Sequence, residues 1–276
     1  MTGLDCILVP LDGSERAEAA LDWAYALPAQ RVRLLRVCPE EPPDTQAAQY
    51  LEEVAARFRP PGRTIETRIA YGGPAESIVE NAADADLIVM SSQGAGGGGR
   101  LLFGSVADRV ARHAPAPTLL LRASHHPVAT QPVRRIVAAL DRSLAAERAL
   151  PLATLLAREM GVPIHLVSVS DKITSRAERD SEQRPRRDRS APRDEAPDTY
   201  LGRMAASLEA LDLSASTEVR SGPAAVEVMA TLGSGDLLII TTHGQGAARR
   251  WQIGNVAEKL LRQAAAPVVL VRADTP

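Results

Sequence analysis

Two segments of the sequence combine residues that suit the binding of an anion. An Asp-Gly-Ser sequence at 12–14 follows an apolar run, and a glycine-rich segment at 91–100 follows another, shortly before Gly104 and Ser105 open a helical pattern. Glycine lets a backbone come close to a ligand, and the unpaired amides at a helix N-terminus favour anions. These segments therefore predict a phosphate-binding site.

The spacing of these glycines differs from two common phosphate-binding motifs. It is neither GxGxxG directly after the first strand nor GxxxxGK[ST], and no lysine lies near it. Ordinary dinucleotide-binding and P-loop interpretations are therefore disfavoured.

The whole pattern occurs twice along the chain. Each copy has an apolar run ending in aspartate, a second apolar run opening with aspartate, and a glycine that begins a helical segment. The matching segments are Ile7–Ser14 with Ile136–Ser143, Ala85–Met90 with Gly235–Ile240, and Gly104–Asp108 with Gly254–Glu258. An internal repeat of this size predicts two tandem domains.

Within each copy, short β-branched or leucine-rich runs alternate with alanine-rich stretches of helical period, which is typical of βαβ units. The runs do not alternate with polar residues, so both faces of each parallel sheet should be covered. We expect α/β three-layer sandwiches with five-stranded parallel sheets. The strands are predicted near 6–10, 32–37, 64–70, 87–91 and 118–122, and again near 135–140, 163–169, 216–220, 237–241 and 267–272.

The predicted domains are 1–123 and 133–276, joined by a linker at 124–132. The second contains a highly charged insert at about 171–198, which has too few apolar residues to fold and is predicted to be disordered.

Composition narrows the class of function. A formal net charge of −2 gives no field that would attract nucleic acid, and the 3% aromatic content is too low for base stacking. No apolar run approaches the roughly 20 residues of a membrane helix. Two cysteines and no leader-like N-terminus favour a cytoplasmic protein. No metal site is predicted.

The glycine spacing resembles that of the universal stress proteins, in their tandem form. The ATP-binding branch of that family shows Gly-x2-Gly-x9-Gly-(Ser/Thr) after the fourth strand. Here Ser91-x2-Gly94-x9-Gly104-Ser105 keeps the spacing, and Thr241-x2-Gly244-x9-Gly254-Asn255 repeats it. The resemblance implies a flavodoxin-like (adenine nucleotide alpha hydrolase-like) strand order with the last strand at an edge.

The resemblance also implies roles for residues of both copies. Asp12 and Asp141 would lie near the ribose and base, and the backbones of Val37 and Val169 would contact adenine. The predicted phosphate cradles are Ser91, Gly94, Gly104, Ser105 and Val106 in the first copy, and Gly244, Gly254, Asn255 and Val256 in the second. The neighbouring residues alone are equally consistent with a helix-capping role for the Asp12 carboxylate.

We predict a cytoplasmic stress-response protein that binds ATP, AMP or ADP. Its role would be regulatory rather than the rapid turnover of a substrate. Whether a Mg²⁺ ion binds with the nucleotide is left open. No catalytic residue is assigned. A slow ATPase or phosphotransfer enzyme, a ligand-free interaction scaffold and a binder of another small metabolite stay open as alternatives.

The repeat also predicts how the copies associate. The final strands of the two copies should pair antiparallel within one chain as a pseudo-dimer, and homodimerisation of the chain stays open. The first copy should bind ATP better, because Ser91 is smaller and less restricted than the β-branched Thr241.

Overall fold

The computed structural model describes residues 3–40, 45–59, 61–93, 104–122, 132–170, 195–242 and 253–273. The chain divides into two compact units, Met1–Pro132 (unit one) and Val133–Pro276 (unit two).

Unit one alternates strands and helices, and its strands pair in parallel in the order β3-β2-β1-β4-β5. Its elements are β1 (Leu4–Pro10), α1 (Glu15–Ala26), β2 (Ala29–Cys38), α2 (Thr45–Arg57), β3 (Thr64–Tyr71), α3 (Pro74–Asn81), β4 (Leu87–Ser91), α4 (Ser105–His113) and β5 (Thr118–Leu121).

Unit two has the corresponding order, β8-β7-β6-β9-β10, again with parallel pairs. Its elements are β6 (Arg135–Ala139), α5 (Leu144–Glu147), α6 (Leu150–Met160), β7 (Ile164–Ser170), α7 (Pro197–Glu209), β8 (Ala215–Ser221), α8 (Ala224–Thr231), β9 (Asp236–Thr241), α9 (Asn255–Gln263) and β10 (Val268–Val271).

The central strands carry the core of each unit. Ile7, Leu8, Leu87 and Ile88 are fully buried in unit one, as are their counterparts in β6 and β9. Burial of consecutive residues requires cover on both faces of the sheet, because successive side chains of a strand point to opposite sides. The predicted fold class, two tandem α/β three-layer sandwiches, is confirmed.

The strand order fixes where a ligand can bind. In unit one the chain winds outward from β1 to β3 and then returns to form β4 on the other side of β1. Ligands of such sheets bind outside the carboxyl ends of the strands, at this reversal. The loops after β1 and β4 meet this condition in unit one, and the loops after β6 and β9 meet it in unit two.

Unit two departs from an exact repetition of unit one in its first helix. Where unit one has the single helix α1, unit two has a short α5 followed by α6. Pro151 lies in the first turn of α6. Proline has no backbone N–H and is suited to a helix start, so it ends the continuous helix that the repeat would predict.

Two predicted segments fall largely outside the described residues: the linker 124–132 except for Pro132, and residues 171–194 of the charged insert. The last part of that insert is folded, because α7 already begins at Pro197. Among the described helices, none is long and apolar enough to cross a bilayer.

Candidate functional site

The loop after β1 is organised by an aspartate and a serine. Oδ1 of Asp12 accepts hydrogen bonds from the amide (3.0 Å) and the hydroxyl (2.6 Å) of Ser14. The Ser14 Oγ in turn accepts from the amide of Ala17 at 3.2 Å and so caps α1. This arrangement fixes the Asp12 carboxylate at the carboxyl end of β1.

Unit two repeats the arrangement. Oδ1 of Asp141 accepts from the Ser143 amide at 3.1 Å and from its hydroxyl at 2.5 Å. The Ser143 Oγ accepts from the amide of Ala146 at 3.0 Å. In both units the serine is therefore the helix cap, and the aspartate carboxylate orients that serine rather than capping the helix itself.

The residue between the aspartate and the serine has a left-handed backbone in both units. Gly13 has φ +82° and Arg142 has φ +66°. A Cβ built on Gly13 would lie 3.3 Å from Nη1 of Arg36, on β2. The position on β7 that corresponds to Arg36 is Ser168, just before Val169. An arginine therefore lies at the first loop of each unit, supplied by the strand in unit one and by the loop in unit two.

Arg36 contacts two elements of unit one. Its Nη1 donates to the carbonyl of Leu11 at 3.4 Å, and its guanidinium carbon lies 5.8 Å from the ring centroid of Tyr50, on α2. Its Nε is buried and has no hydrogen-bond partner within the described part of the chain. In unit two, Nη1 of Arg142 donates to the carbonyl of Glu195 at 3.3 Å, just before α7. The Ser168 hydroxyl is likewise buried without such a partner among the described residues.

The start of α4 supplies the second part of the candidate site. The amide of Gly104 donates to the carbonyl of Ser92 at 2.7 Å, and a Cβ on Gly104 would lie only 3.1 Å from that carbonyl oxygen. In unit two the amide of Gly254 donates to the carbonyl of Thr242 at 2.8 Å, and the corresponding Cβ distance is 3.4 Å. Both glycines permit a close approach of the loop to the helix, with the tighter contact in unit one.

These two glycines are also the cap residues of α4 and α9, and neither helix has a side-chain cap. By contrast, α1 is capped by the side chain of Ser14. No side chain of the described residues caps the first-turn amides of α4 and α9, which include those of Ser105 and Asn255. These amides therefore suit an anion better than those of α1.

The other predicted residues lie at the same ends of the sheets. Ser91 ends β4, where its hydroxyl donates to the carbonyl of Gln93 at 2.8 Å and accepts from its amide at 3.3 Å. Val37 and Val169 are half-buried near the ends of β2 and β7. Val106 is half-buried in the first turn of α4, whereas its counterpart Val256 is 43% exposed.

Gly94 and Gly244 lie outside the described residues. Within the described ranges, no group of three or more histidine, cysteine, aspartate or glutamate residues could hold a metal ion.

Sequence reasoning missed Arg36 and Arg142. Two signals pointed to them: an arginine inside the apolar run at 34–37, and an arginine at the one position of the repeated Asp-x-Ser sequence where the first copy has glycine.

The profile of the universal stress protein family matches residues 4–122 and 132–272, so the chain belongs to this family and carries two of its domains in tandem. A universal stress protein of Thermus aquaticus is 35% identical over 133 residues, which cover 42% of this chain and 97% of that protein. A universal stress protein of Mycobacterium bovis is 25% identical over 210 residues, covering 76% of this chain and 69% of the relative.

Solved structures show the same fold over the whole chain. The crystal structure of a universal stress protein from Archaeoglobus fulgidus matches with a TM-score of 0.73 at 20% identity, covering 97% of this chain and 98% of that one. A universal stress protein from Pseudomonas aeruginosa matches with a TM-score of 0.64 at 18% identity, covering 98% and 93% respectively.

Proposed function

We propose that this tandem universal stress protein binds adenine nucleotide, chiefly ATP and otherwise AMP or ADP, at the carboxyl ends of the sheet strands. The observation that carries the proposal is an arrangement present in both units. A helix that begins at a glycine lies on one side of the strand reversal, and an aspartate bonded to the cap serine of the preceding helix lies on the other. The phosphates would lie at the first turns of α4 and α9, since their amides favour anions. Asp12 and Asp141 would face the ribose, and the backbones of Val37 and Val169 the adenine.

We propose a regulatory role rather than rapid catalysis, in the cytoplasm and in response to stress. A Mg²⁺ ion would accompany a bound triphosphate rather than occupy a protein site of its own. Nucleotide binding would stabilise the folded state and thereby report nucleotide supply to a partner.

The test is the nucleotide content of freshly purified protein, measured after heat release, together with calorimetric titration with ATP. We expect released adenine nucleotide, or saturable ATP binding that raises the melting temperature. A protein that is empty as purified and shows neither heat of binding nor a thermal shift with ATP, ADP or AMP would contradict the proposal.

A ligand-free interaction scaffold is the second candidate. It is favoured by the hydrogen bonds of Ser91, because both the donor and an acceptor site of its hydroxyl are already used within its own turn. The same titration separates the candidates, since a scaffold would bind no nucleotide in either unit.

We also propose the pseudo-dimer, in which β5 and β10 pair antiparallel within one chain. The support is the repeat itself, which ends each unit with a short apolar strand that would otherwise form a sheet edge. Hydrogen exchange on the whole chain tests this proposal: the amides of both strands should be as protected as those of the central strands, whereas unpaired edges would exchange early.

A further inference from the structure

A second group of chemically active side chains lies at the amino-terminal ends of β7 and β8, at the other end of the strands from the proposed nucleotide site. His165 stands opposite Ser216 in the parallel pairing of the two strands, and Val167 stands opposite Glu218. Because alternate residues of a strand share a face, Ser216 and Glu218 lie on one side of the sheet and flank the histidine.

Both ring nitrogens of His165 are engaged. Nδ1 lies 2.8 Å from Oγ of Ser216, and Nε2 lies 3.1 Å from Oε2 of Glu218. An ionised carboxylate can only accept hydrogen bonds, so the proton of a neutral imidazole resides on Nε2. Nδ1 is then left as an acceptor for the serine hydroxyl.

The environment of the three groups fits distinct roles. His165 is buried, whereas Ser216 is exposed and open to a reactant. Arg220 donates to the other carboxylate oxygen of Glu218 at 2.8 Å and also bonds Glu227, on α8. The Arg220 guanidinium lowers the pKa of Glu218, which keeps that carboxylate ionised. A hydroxyl bonded to a base, itself oriented by a carboxylate, is the arrangement of an activated nucleophile.

Unit one has no such arrangement at the corresponding place. Arg33 replaces the histidine there, since Arg33 pairs with Leu8 on β1 as His165 pairs with Val137 on β6. Arg33 is bonded to Glu66 and Asp84, and a guanidinium cannot act as a base. The serine–histidine–glutamate group is therefore present in unit two and not at the corresponding place in unit one.

We propose that Ser216 is a nucleophile for acyl transfer from small activated esters, with His165 as its general base and Glu218 as a positioning residue. The serine Oγ bonds to the acyl carbon while the bond from that carbon to the leaving phenolate breaks, and the hydroxyl proton passes to Nδ1 of His165. After His165 has released this proton to solvent, water attacks the acyl-serine and His165 accepts a proton from that water. The bond from the acyl carbon to Oγ then breaks, His165 returns the proton to Oγ, and the carboxylic acid and the free serine are released. Activated esters are the expected class because their leaving groups depart without protonation.

The experiment uses the full chain with p-nitrophenyl acetate. Release of p-nitrophenolate is followed by absorbance, and the acetylated residue is located by fragmenting the tryptic peptide 204–220. This peptide also contains Ser207 and Ser214, which serve as internal controls. We expect acetylation of Ser216 to exceed that of either control serine by at least about tenfold, since general-base catalysis typically contributes about a hundredfold or more.

Three variants assign the roles. Ser216→Ala should remove most of the modification from the peptide, while Ser214→Ala should leave it nearly unchanged. His165→Gln keeps a side chain able to bond both neighbours but is not a base, so acetylation should slow at least about tenfold with an unchanged melting temperature. Equal acetylation of the three serines, or a His165→Gln variant acetylated at the wild-type rate, would overturn the proposal.

Discussion

The first loops of the two units have the same aspartate–serine cap but different arginines. In unit one Gly13 leaves space that the guanidinium of Arg36 approaches from β2, whereas in unit two Arg142 projects from the loop and β7 carries the small Ser168. In unit one a side chain on the loop and the long side chain on the strand would compete for one space, because a Cβ on Gly13 would lie 3.3 Å from Nη1 of Arg36. The comparison teaches that a repeat can conserve a charge near a site without conserving the residue that supplies it.

The loops after β4 and β9 have glycine at the same place in both units, but they differ in how closely they approach the following helix. The Cβ distance of 3.1 Å at Gly104, against 3.4 Å at Gly254, separates a crowded contact from an ordinary one. The largest expected effect on nucleotide binding follows from this difference. Gly104→Leu should weaken ATP binding to unit one by at least about tenfold, or about 1.4 kcal/mol, because the loop must move away from the first turn of α4. Gly254→Leu should weaken binding much less.

Calorimetric titration of both variants with ATP measures the effect, with the melting temperature of each unliganded variant as the control for folding. Equal losses of affinity, or a larger loss from Gly254→Leu, would show that unit one is not the better nucleotide site.

Substitutions at Gly13 and Arg36 test directly whether these two positions compete for one space. Gly13→Arg should lower the free energy of unfolding by about 2 kcal/mol, since a non-glycine residue at φ +82° is strained and its Cβ would meet Arg36. Adding Arg36→Ser, which copies unit two, should restore about half of that loss. Urea unfolding of the single and double variants provides the cycle.

The reciprocal change gives the matched control. Arg142→Gly should leave the stability nearly unchanged or raise it, because glycine adopts φ +66° without strain. Additive effects of Gly13→Arg and Arg36→Ser would mean that the two positions are independent.

Arg33 occupies in unit one the place that His165 occupies in unit two, and its ion pairs should make the stability of the protein depend on pH. Arg33 is buried and lowers the pKa of Asp84 to about 2, whereas the pKa of Glu66 is lowered mainly by its hydrogen bond from Arg31 and additionally by that from Arg33. Carboxylates with depressed folded-state pKa values stabilise the protein above their unfolded values near 4, and this stabilisation is lost as the pH falls toward about 2. Arg33→Met should therefore cost about 1 kcal/mol near pH 7, with a smaller cost at pH 2.

Thermal unfolding of the wild type and Arg33→Met across this pH range tests the sign. A stability difference that stays constant down to pH 2 would show that Arg33 acts through packing alone.

The smallest predicted effect is a loss of stability that should be equal in the two units. Ser14→Ala and Ser143→Ala each remove the side-chain cap of a helix and should each cost about 1 kcal/mol of stability. Ser207→Ala, in the exposed part of α7, is the control and should change the stability little. Urea unfolding in which only one cap variant loses stability would show that the two caps are not equivalent.

Much of the fold follows from the sequence because the strands are continuous apolar runs. The run at 87–90 is fully or nearly fully buried, and the observed β4 coincides with the predicted strand. The start of β2 is harder to predict. The apolar run predicts a strand from residue 32, but β2 begins at Ala29 and its first residues include polar ones that pair with the neighbouring strands. The break between α5 and α6 depends on Pro151, which a repeat-based prediction overlooks.

The candidate site was predictable where it rests on local chemistry, and not where it rests on contacts between distant segments. Asp12 and Gly104 are marked by their own neighbours in the sequence. The contact of Arg36 with the first loop joins residues more than twenty positions apart, and the bonds of His165 to Ser216 and Glu218 span two strands. No local spacing encodes such pairs.

The exchanged arginines limit how segments of the two units can be recombined. A hybrid with the 141–143 loop of unit two beside β2 of unit one would contain both Arg142 and Arg36. The opposite hybrid, with the 12–14 loop beside β7, would have Gly13 and Ser168 and neither arginine. Engineered chimeras of tandem domains should therefore transfer a loop together with the strand it faces, because the smallest exchangeable module here is a pair of residues that the sequence separates.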